Sequence, residues 1–130
     1  MKEPLWIDRD VALAIHDLTL AQHGGLGGLR DEGRLESALS RPRHLFGDEK
    51  PDLHTLASAY AVGIIENHPF GDGNTRTGFL LAAVFLEVNG WSVSASEESV
   101  FEQTLGLAAG RTTADAYAQW LRENSHRTPK

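Results

Sequence analysis

The sequence predicts an all-α fold, a compact bundle of about six helices with a central buried helix. Three observations favour this class. Apolar residues recur at helical spacing through most of the chain, and glycine, proline or asparagine separate the successive segments. Residues 79–86 are apolar without interruption, as expected of a helix that is covered on all sides. No segment shows the convincing alternation of apolar and polar residues that would indicate a strand.

The first helix is predicted over residues 7–23. Asp8 or Asp10 can cap its start, and a glycine-rich turn over residues 24–28 ends it, because glycine is costly inside a helix. The residues at helical spacing define its predicted inner face: Val11, Ile15, Leu18 and Gln22, with Leu13 and Leu20 nearby.

A second, short helix is predicted over residues 33–40. Asp31 can cap its start, and Pro42 lies just beyond its end, where a proline ring and its missing N–H disfavour continuation. Residues 43–51 then form a polar loop that contains two apolar side chains.

Two longer helices follow, one over about residues 52–67 and one from Asn74 to the helix-stopping pair Asn89–Gly90. Pro69 separates them, because it prevents a smooth continuation of the first. The inner face of the first is predicted from helical spacing: Leu53, Leu56, Ala57, Tyr60 and Ile64.

The last part of the chain is predicted to contain an extended link at residues 91–93, two helices over 96–109 and 113–124, and a frayed polar tail over 125–130. Each helix has a predicted inner face. These faces consist of Val100, Phe101, Leu105 and Ala108 in the first, and of Tyr117, Trp120 and Leu121 in the second.

Composition indicates one ordinary domain, residues 1–130. The chain is 41% hydrophobic and 23% charged, and it has no cysteine for a disulfide or a thiolate metal site. No apolar run reaches the about 18 residues that cross a bilayer, and residues 1–4 lack a signal-peptide pattern. We therefore expect a cytoplasmic protein with no membrane partner. The net charge of −6 argues against direct nucleic-acid binding, so any polyphosphate must be attracted locally.

Residues 66–77, between the two central helices, carry the residue types that phosphate chemistry needs. His68 can accept a proton, Asp72 can hold Mg²⁺, and Asn74 opens a helix whose first N–H groups lack partners. Arg76 lies in the first turn, where a cation is unfavourable unless an anion is nearby. Taken singly, each residue also has a structural interpretation as a cap or a turn. Their combination in one loop favours a functional site.

Residues 68–76 read His-Pro-Phe-Gly-Asp-Gly-Asn-Thr-Arg and resemble the Fic/Doc signature His-x-Phe-x-(Asp/Glu)-(Gly/Ala)-Asn-x-Arg. Within this superfamily the chain is most similar to the death-on-curing (Doc) toxins of toxin–antitoxin systems. The similarity extends through further segments: Ile15–His16, residues 28–31, 35–39, Arg41–Pro42, residues 59–61 and Asn89–Gly90. It implies a helical fold that transfers part of a nucleotide onto a protein hydroxyl. Most Fic relatives transfer AMP, whereas Doc toxins transfer the γ-phosphate of ATP.

The resemblance also implies a role for each loop position. His68 would be the general base, Arg76 a catalytic and phosphate-binding residue, and Asp72 the ligand of Mg²⁺. Phe70 would be a buried anchor that fixes the loop. The phosphates of ATP would be held by four consecutive residues: Gly73, Asn74, Thr75 and Arg76.

Two positions depart from the family pattern. Thr75 stands where AMP-transferring relatives typically have glycine and Doc toxins typically have lysine. A weak or inactive enzyme, or a module that only binds a nucleotide or a protein, is therefore an alternative to an active toxin. Phe79 stands where AMP-transferring relatives carry a second arginine, which favours phosphate transfer and leaves Fic-type AMP transfer as the other alternative.

The implied partners are a protein substrate and a cognate antitoxin. The substrate would be a translation factor, with elongation factor Tu as the first candidate, and its modification would inhibit protein synthesis. An antitoxin is expected because the inhibitory Ser/Thr-x-x-x-Glu-(Gly/Asn) helix of self-inhibited Fic proteins has no convincing copy here. Residues 43–51 lie where relatives have a short flap that clamps the target. The other histidines form no metal-spaced pair and are expected at the surface or at caps: His16, His23, His44, His54 and His126.

Overall fold

The computed structural model describes residues 2–25 and 27–129. In this part of the chain six α-helices pack into one bundle, and two short strands form an antiparallel pair, which confirms the predicted all-α class. The elements are α1 Arg9–His23, α2 Glu32–Glu49, α3 Leu53–Asn67, α4 Asn74–Val88, β1 Trp91–Val93, α5 Glu97–Ala108, α6 Ala114–Glu123 and β2 Ser125–Arg127.

The helices α3 and α4 form the centre of the bundle, and α3 is buried without a break over residues 56–65. Two glycines allow a close approach. A Cβ at Gly63 would lie 3.1 Å from the Ala38 carbonyl oxygen of α2, and one at Gly78 would lie 3.1 Å from the Ala61 carbonyl oxygen. Helices that pack this closely have little room to shift against each other. The end of α3 and the start of α4 are therefore held in a fixed relation to each other.

The helix α2 is longer than predicted, because it continues through Pro42 to Glu49. A proline inside a helix costs about 3 kcal/mol, but Pro42 is buried and the residues that follow it also pack on the core. The Phe46 ring, for example, lies edge-on to the Trp6 ring at 5.7 Å. The predicted loop over residues 43–51 is therefore wrong, and the three-residue connection Lys50–Asp52 leaves no flap there.

The predicted inner faces of α1 and α5 are also wrong in part. Val11 and Leu18 are 38% and 61% exposed, and Phe101 and Leu105 are 69% and 42% exposed. In α1, Ile15 faces the core as predicted, and small or polar residues are buried beside it: Ala12, His16 and Thr19. In α5 the buried residues are Thr104 and Gly106. The inner faces predicted for α3 and α6 are confirmed, apart from Leu53, which is half-buried.

The C-terminal segment is paired where the sequence predicts a frayed tail. Ser125 lies opposite Val93 and Arg127 opposite Trp91, and the Arg127 guanidinium lies over the Trp91 ring. The Ser125 hydroxyl is also 2.8 Å from Nε2 of His54, which is buried and not at the surface as expected. Contacts between distant segments therefore order a stretch whose composition is that of a tail. No helix in the described residues is long and apolar enough to cross a membrane.

The carboxylate of Asp52 stabilises the fold in two ways, as the cap of α3 and as the bidentate partner of Arg122 at 2.7 and 3.0 Å. The Arg122 hydrogen bond holds the pKa of Asp52 well below its ordinary value of 3.8. A lowered pKa means that the stabilisation is present above pH 3.8 and is lost as the pH falls through the folded-state pKa.

Asp52→Asn keeps an acceptor for the cap and removes the charge. We expect it to lower the free energy of unfolding at neutral pH by less than about 1 kcal/mol, the usual range for an exposed pair. Urea denaturation of both proteins at neutral pH and at about pH 3 measures this difference, which should narrow in acid. If the two proteins differ as much in free energy of unfolding at about pH 3 as at neutral pH, the ion pair is not the source of the difference.

Candidate functional site

The loop between α3 and α4 lies at the edge of a pocket of about 610 Å³. The helix α3 ends at Asn67 and is capped by His68, whose left-handed backbone has φ 54°, and Pro69 prevents continuation. The helix α4 begins after Gly73, also left-handed at φ 76°. One wall of the pocket is polar and comes from this loop, and the other is apolar and comes from α4 and α5: Phe79, Leu80, Val100, Phe101 and Leu105.

His68 lies at the polar wall with a defined arrangement of its ring protons. Its Nδ1 is 3.3 Å from the Ile65 carbonyl oxygen. Because a carbonyl oxygen only accepts, Nδ1 carries the proton in the neutral ring and Nε2 keeps a lone pair. The main-chain oxygen of His68 accepts a hydrogen bond from the Arg30 guanidinium at 3.2 Å. The His68 ring is therefore oriented by its Nδ1 hydrogen bond, and its Nε2 is able to accept a proton.

Asn74 and Phe70 fix the shape of the loop. Asn74 is 4% exposed, its Oδ1 accepts from the Phe70 N–H at 3.1 Å, and its Nδ2 donates to the Phe70 carbonyl at 3.0 Å. Phe70 is fully buried, as expected of an anchor. The side chain of Asn74 is therefore engaged with the loop, and the main-chain N–H at the start of α4 is what this residue offers to a ligand.

The start of α4 is suited to an anion. In the described residues Gly73 gives no side-chain cap, and the first backbone bond at this end runs from the Thr77 N–H to the Gly73 carbonyl. The preceding N–H groups of the first turn have no acceptor within the described chain, and they line the pocket. Arg76 is exposed in the same turn and, among residues 2–25 and 27–129, forms no ion pair. Unpaired N–H groups and a guanidinium together favour a bound phosphate.

Asp72 is the exposed carboxylate of the loop. Its Oδ1 accepts from the Gly73 N–H at 2.8 Å. Its Oδ2 lies close to Gly25, whose backbone φ of 121° favours glycine. The described residues contain no group of three or more metal-ligating side chains. One carboxylate, completed by phosphate oxygens and water, is nevertheless a common way to bind Mg²⁺. The residues present thus fit this ion.

His16 is a site residue that sequence reasoning missed. The sequence places it at the surface or at a cap, but it is 1% exposed beneath the loop. Its Nε2 is 2.8 Å from the Asp72 carbonyl oxygen, and its ring stacks on Phe70 at 3.8 Å with an angle of 7°. The signal that could have found it is the spacing of the small and polar residues of α1, which are buried together: Ala12, His16 and Thr19.

Residues 28–31 hold the other side of the loop. The N–H groups of Arg30 and Asp31 both donate to the Pro69 carbonyl, at 2.8 and 3.1 Å. The Gly71 N–H donates to the Gly28 carbonyl, and an isolated bridge joins the intervening residues of the two segments. The segment over residues 28–31 is therefore a structural part of the site.

Fold and pocket together define a helical protein in which the His68 imidazole and the uncapped start of α4 line one cavity. A profile of the Fic/DOC family matches residues 6–86, and the chain belongs to this family, as its signature predicts. The chain is similar to a protein named protein kinase doc from Escherichia phage P1, with 33% identity over 117 residues, 89% of this chain and 92% of that protein. It is also similar to a protein named toxin Doc from Mycolicibacterium smegmatis, with 34% identity over 92 residues, 69% and 68% of the two chains.

Proposed function

We propose that this chain is a Doc-type toxin that transfers the γ-phosphate of ATP to a hydroxyl of a translation factor and so inhibits protein synthesis. One observation carries the proposal: His68, Arg76 and the uncapped start of α4 all line one pocket. The names of the two relatives, a protein kinase and a toxin, agree with it.

In this mechanism Nε2 of His68 takes the proton of the acceptor hydroxyl as its oxygen bonds to the γ-phosphorus. The bond between that phosphorus and the bridging oxygen breaks, and ADP leaves with the electron pair. The N–H groups of Asn74 and Thr75 and the guanidinium of Arg76 stabilise the charge on the phosphate oxygens. Nearly all the catalysis is therefore positioning and charge stabilisation, for which a rigid loop is needed.

Mg²⁺ would be held by the carboxylate of Asp72. When bound, it neutralises negative charge on the nucleotide phosphates. The Oδ1 of Asp72 accepts from the Gly73 N–H, so this carboxylate is already oriented toward the start of α4. Asp72 and the helix start would thus act on neighbouring oxygens of the same ligand.

Phe79 favours phosphate transfer over AMP transfer. Its half-buried ring lines the pocket at the position where AMP-transferring relatives have a second arginine, so a second phosphate-binding cation is lacking there. The non-catalytic alternative depends on Thr75, whose side chain adds no charge to the pocket.

The test is incubation of the protein with elongation factor Tu, Mg²⁺ and ATP labelled on either the α- or the γ-phosphate. Transfer of the γ-label supports phosphorylation, and transfer of the α-label would replace it with AMP transfer. If neither label is transferred and the protein behaves as a His68→Ala variant does, the proposal fails for this target.

Thr75→Lys is expected to raise the rate of phosphate transfer by about tenfold or more, because one electrostatic contact can be worth about 10²–10³-fold. The lysine would bring a cation to the start of α4, where Arg76 is the nearest one in sequence. Thr75→Met is the matched control, of similar length without the charge, and it should leave the rate unchanged. Equal rates for the lysine and methionine variants would mean that position 75 does not limit catalysis.

The apolar wall of the pocket is our proposed binding surface for the antitoxin. Phe101 and Leu105 are exposed there although they are large and apolar, which is typical of a binding surface. An amphipathic segment that folds on this wall would bury both side chains and cover the phosphate site. Regulation by a partner would then act through the same pocket as catalysis.

Phe101→Asp is expected to weaken antitoxin binding by about 100-fold, as for a central aromatic contact, without unfolding the protein. Val88→Asp is the matched control, because Val88 is also exposed, at 45%, but lies at the far end of α4. Calorimetric titration of each variant with the proposed antitoxin measures both affinities. Equal losses in both variants would contradict a role for the apolar wall.

A further inference from the structure

A second groove, of about 500 Å³, lies between α2 and the last turn of α3. It is lined by Asp31, Gly33, Arg34, Ser37, Glu66 and Asn67. The groove reaches the residue directly before His68, whereas the phosphate pocket includes His68 itself. The two cavities are therefore lined by neighbouring residues of the chain, Asn67 in the groove and His68 in the phosphate pocket. None of the roles assigned above uses the groove.

The groove is preformed by hydrogen bonds between the two helices. Nδ2 of Asn67 donates to the Arg34 carbonyl at 3.1 Å, and Nη1 of Arg34 donates to the Asn67 carbonyl at 3.4 Å. Both guanidinium nitrogens Nη1 and Nη2 of Arg41 lie 3.2 Å from Oε1 of Glu66. The Arg34–Asn67 and Arg41–Glu66 hydrogen bonds hold the groove in shape, so a ligand would meet an ordered surface.

Both walls of the groove, the one from α2 and the one from α3, present polar groups to solvent. Glu66 and Arg34 are 61% and 53% exposed, and within residues 2–25 and 27–129 neither Oε2 of Glu66 nor the Ser37 hydroxyl has a hydrogen-bond partner. The groove thus offers a carboxylate oxygen, guanidinium donors and a hydroxyl within one short stretch. This set matches the alternating N–H and C=O groups of an extended peptide, and it does not suit an apolar helix.

We propose that this groove docks the segment of the protein substrate that carries the accepting hydroxyl, as an extended polar stretch. The inference rests on the proposed phosphate transfer. With ATP in the phosphate pocket, the acceptor must approach His68 from outside, and the groove is lined by Asn67, the residue directly before it. The helical path of residues 43–49 removes the flap expected to hold the target, so another surface has to do so.

The first test fills the groove with Ser37→Trp and compares it with Glu36→Trp, an exposed neighbour on α2 that does not line the groove. With elongation factor Tu as the probe, we expect the KM for that protein to rise about tenfold in Ser37→Trp alone. The kcat at saturation and the KM for ATP should stay at wild-type values, because the phosphate pocket is untouched.

A second measurement does not depend on turnover. A photo-crosslinking residue at position 37 should capture elongation factor Tu, and the same residue at position 36 should not. If the wild type transfers label but Ser37→Trp has the wild-type KM and position 37 gives no crosslink, the docking inference is overturned while the proposed function stands. If the wild type transfers no label, the proposed function fails, and the crosslinks alone then decide whether the groove binds this protein.

Discussion

His68→Asn is expected to reduce phosphate transfer by about 10²- to 10⁴-fold, the usual contribution of a general base. The variant removes the Nε2 lone pair, which is the proposed proton acceptor, and leaves in place the α4 groups that are proposed to bind phosphate. ATP should therefore bind with nearly unchanged affinity. Initial rates with γ-labelled ATP, together with calorimetric titration of ATP, separate the two effects.

Asparagine is the sharper replacement because of the backbone at this position. His68 is left-handed at φ 54°, a conformation that asparagine tolerates and alanine adopts with strain. His68→Ala tested in parallel should be as inactive but somewhat less stable to urea. A His68→Asn variant that kept most of the wild-type rate would exclude His68 as the base, whatever its stability.

The residues of the loop can be found in the sequence because they are contiguous and lie between two strong signals. Pro69 ends one helix, and the apolar run after Asn74 marks the next, so local patterns alone delimit residues 68–76 and their chemistry. Residues that support the loop from elsewhere cannot be found in this way. The His16 hydrogen bond, for example, joins residues separated by 56 positions. Helical spacing can indicate that His16 is buried, but it carries no information about which distant residue His16 contacts.

The wrong predictions share a physical cause. Helical spacing identifies an apolar side but not what covers it, so it places Phe101 and Leu105 in the core although they line an open pocket. Pro42 predicts a helix end because local sterics favour one, but the burial of the residues around it outweighs the local cost. In both cases tertiary context decides what a local pattern leaves undetermined.

Three separate parts of the chain hold the loop in place. His16 supports it from α1, Arg30 donates to the His68 carbonyl from the segment over residues 28–31, and Asn74 closes the loop from α4. Because each contact constrains a different residue, loss of one should misplace the loop locally without unfolding it. A displacement of about 1 Å at a catalytic group can cost about 10²-fold in rate. Support residues are therefore expected to affect kcat more than stability.

His16→Phe is expected to lower kcat by about 10- to 100-fold while the protein remains folded. Phenylalanine can keep the stacking on Phe70, where the two rings lie 3.8 Å apart, but it cannot donate to the Asp72 carbonyl. That carbonyl would be released, and the Asp72 carboxylate would lose its fixed position. We therefore also expect a higher Mg²⁺ concentration for half-maximal rate, measured by titrating Mg²⁺ at saturating ATP.

His16→Gln is the complementary variant, because its amide N–H can reach an acceptor while the aromatic stacking is lost. If the hydrogen bond positions the loop, glutamine should recover most of kcat and the Mg²⁺ requirement, even where urea denaturation shows it to be less stable than His16→Phe. If packing alone matters, the order reverses, with phenylalanine active and glutamine impaired. The comparison separates the two roles because stability and rate are predicted to rank the two variants in opposite orders.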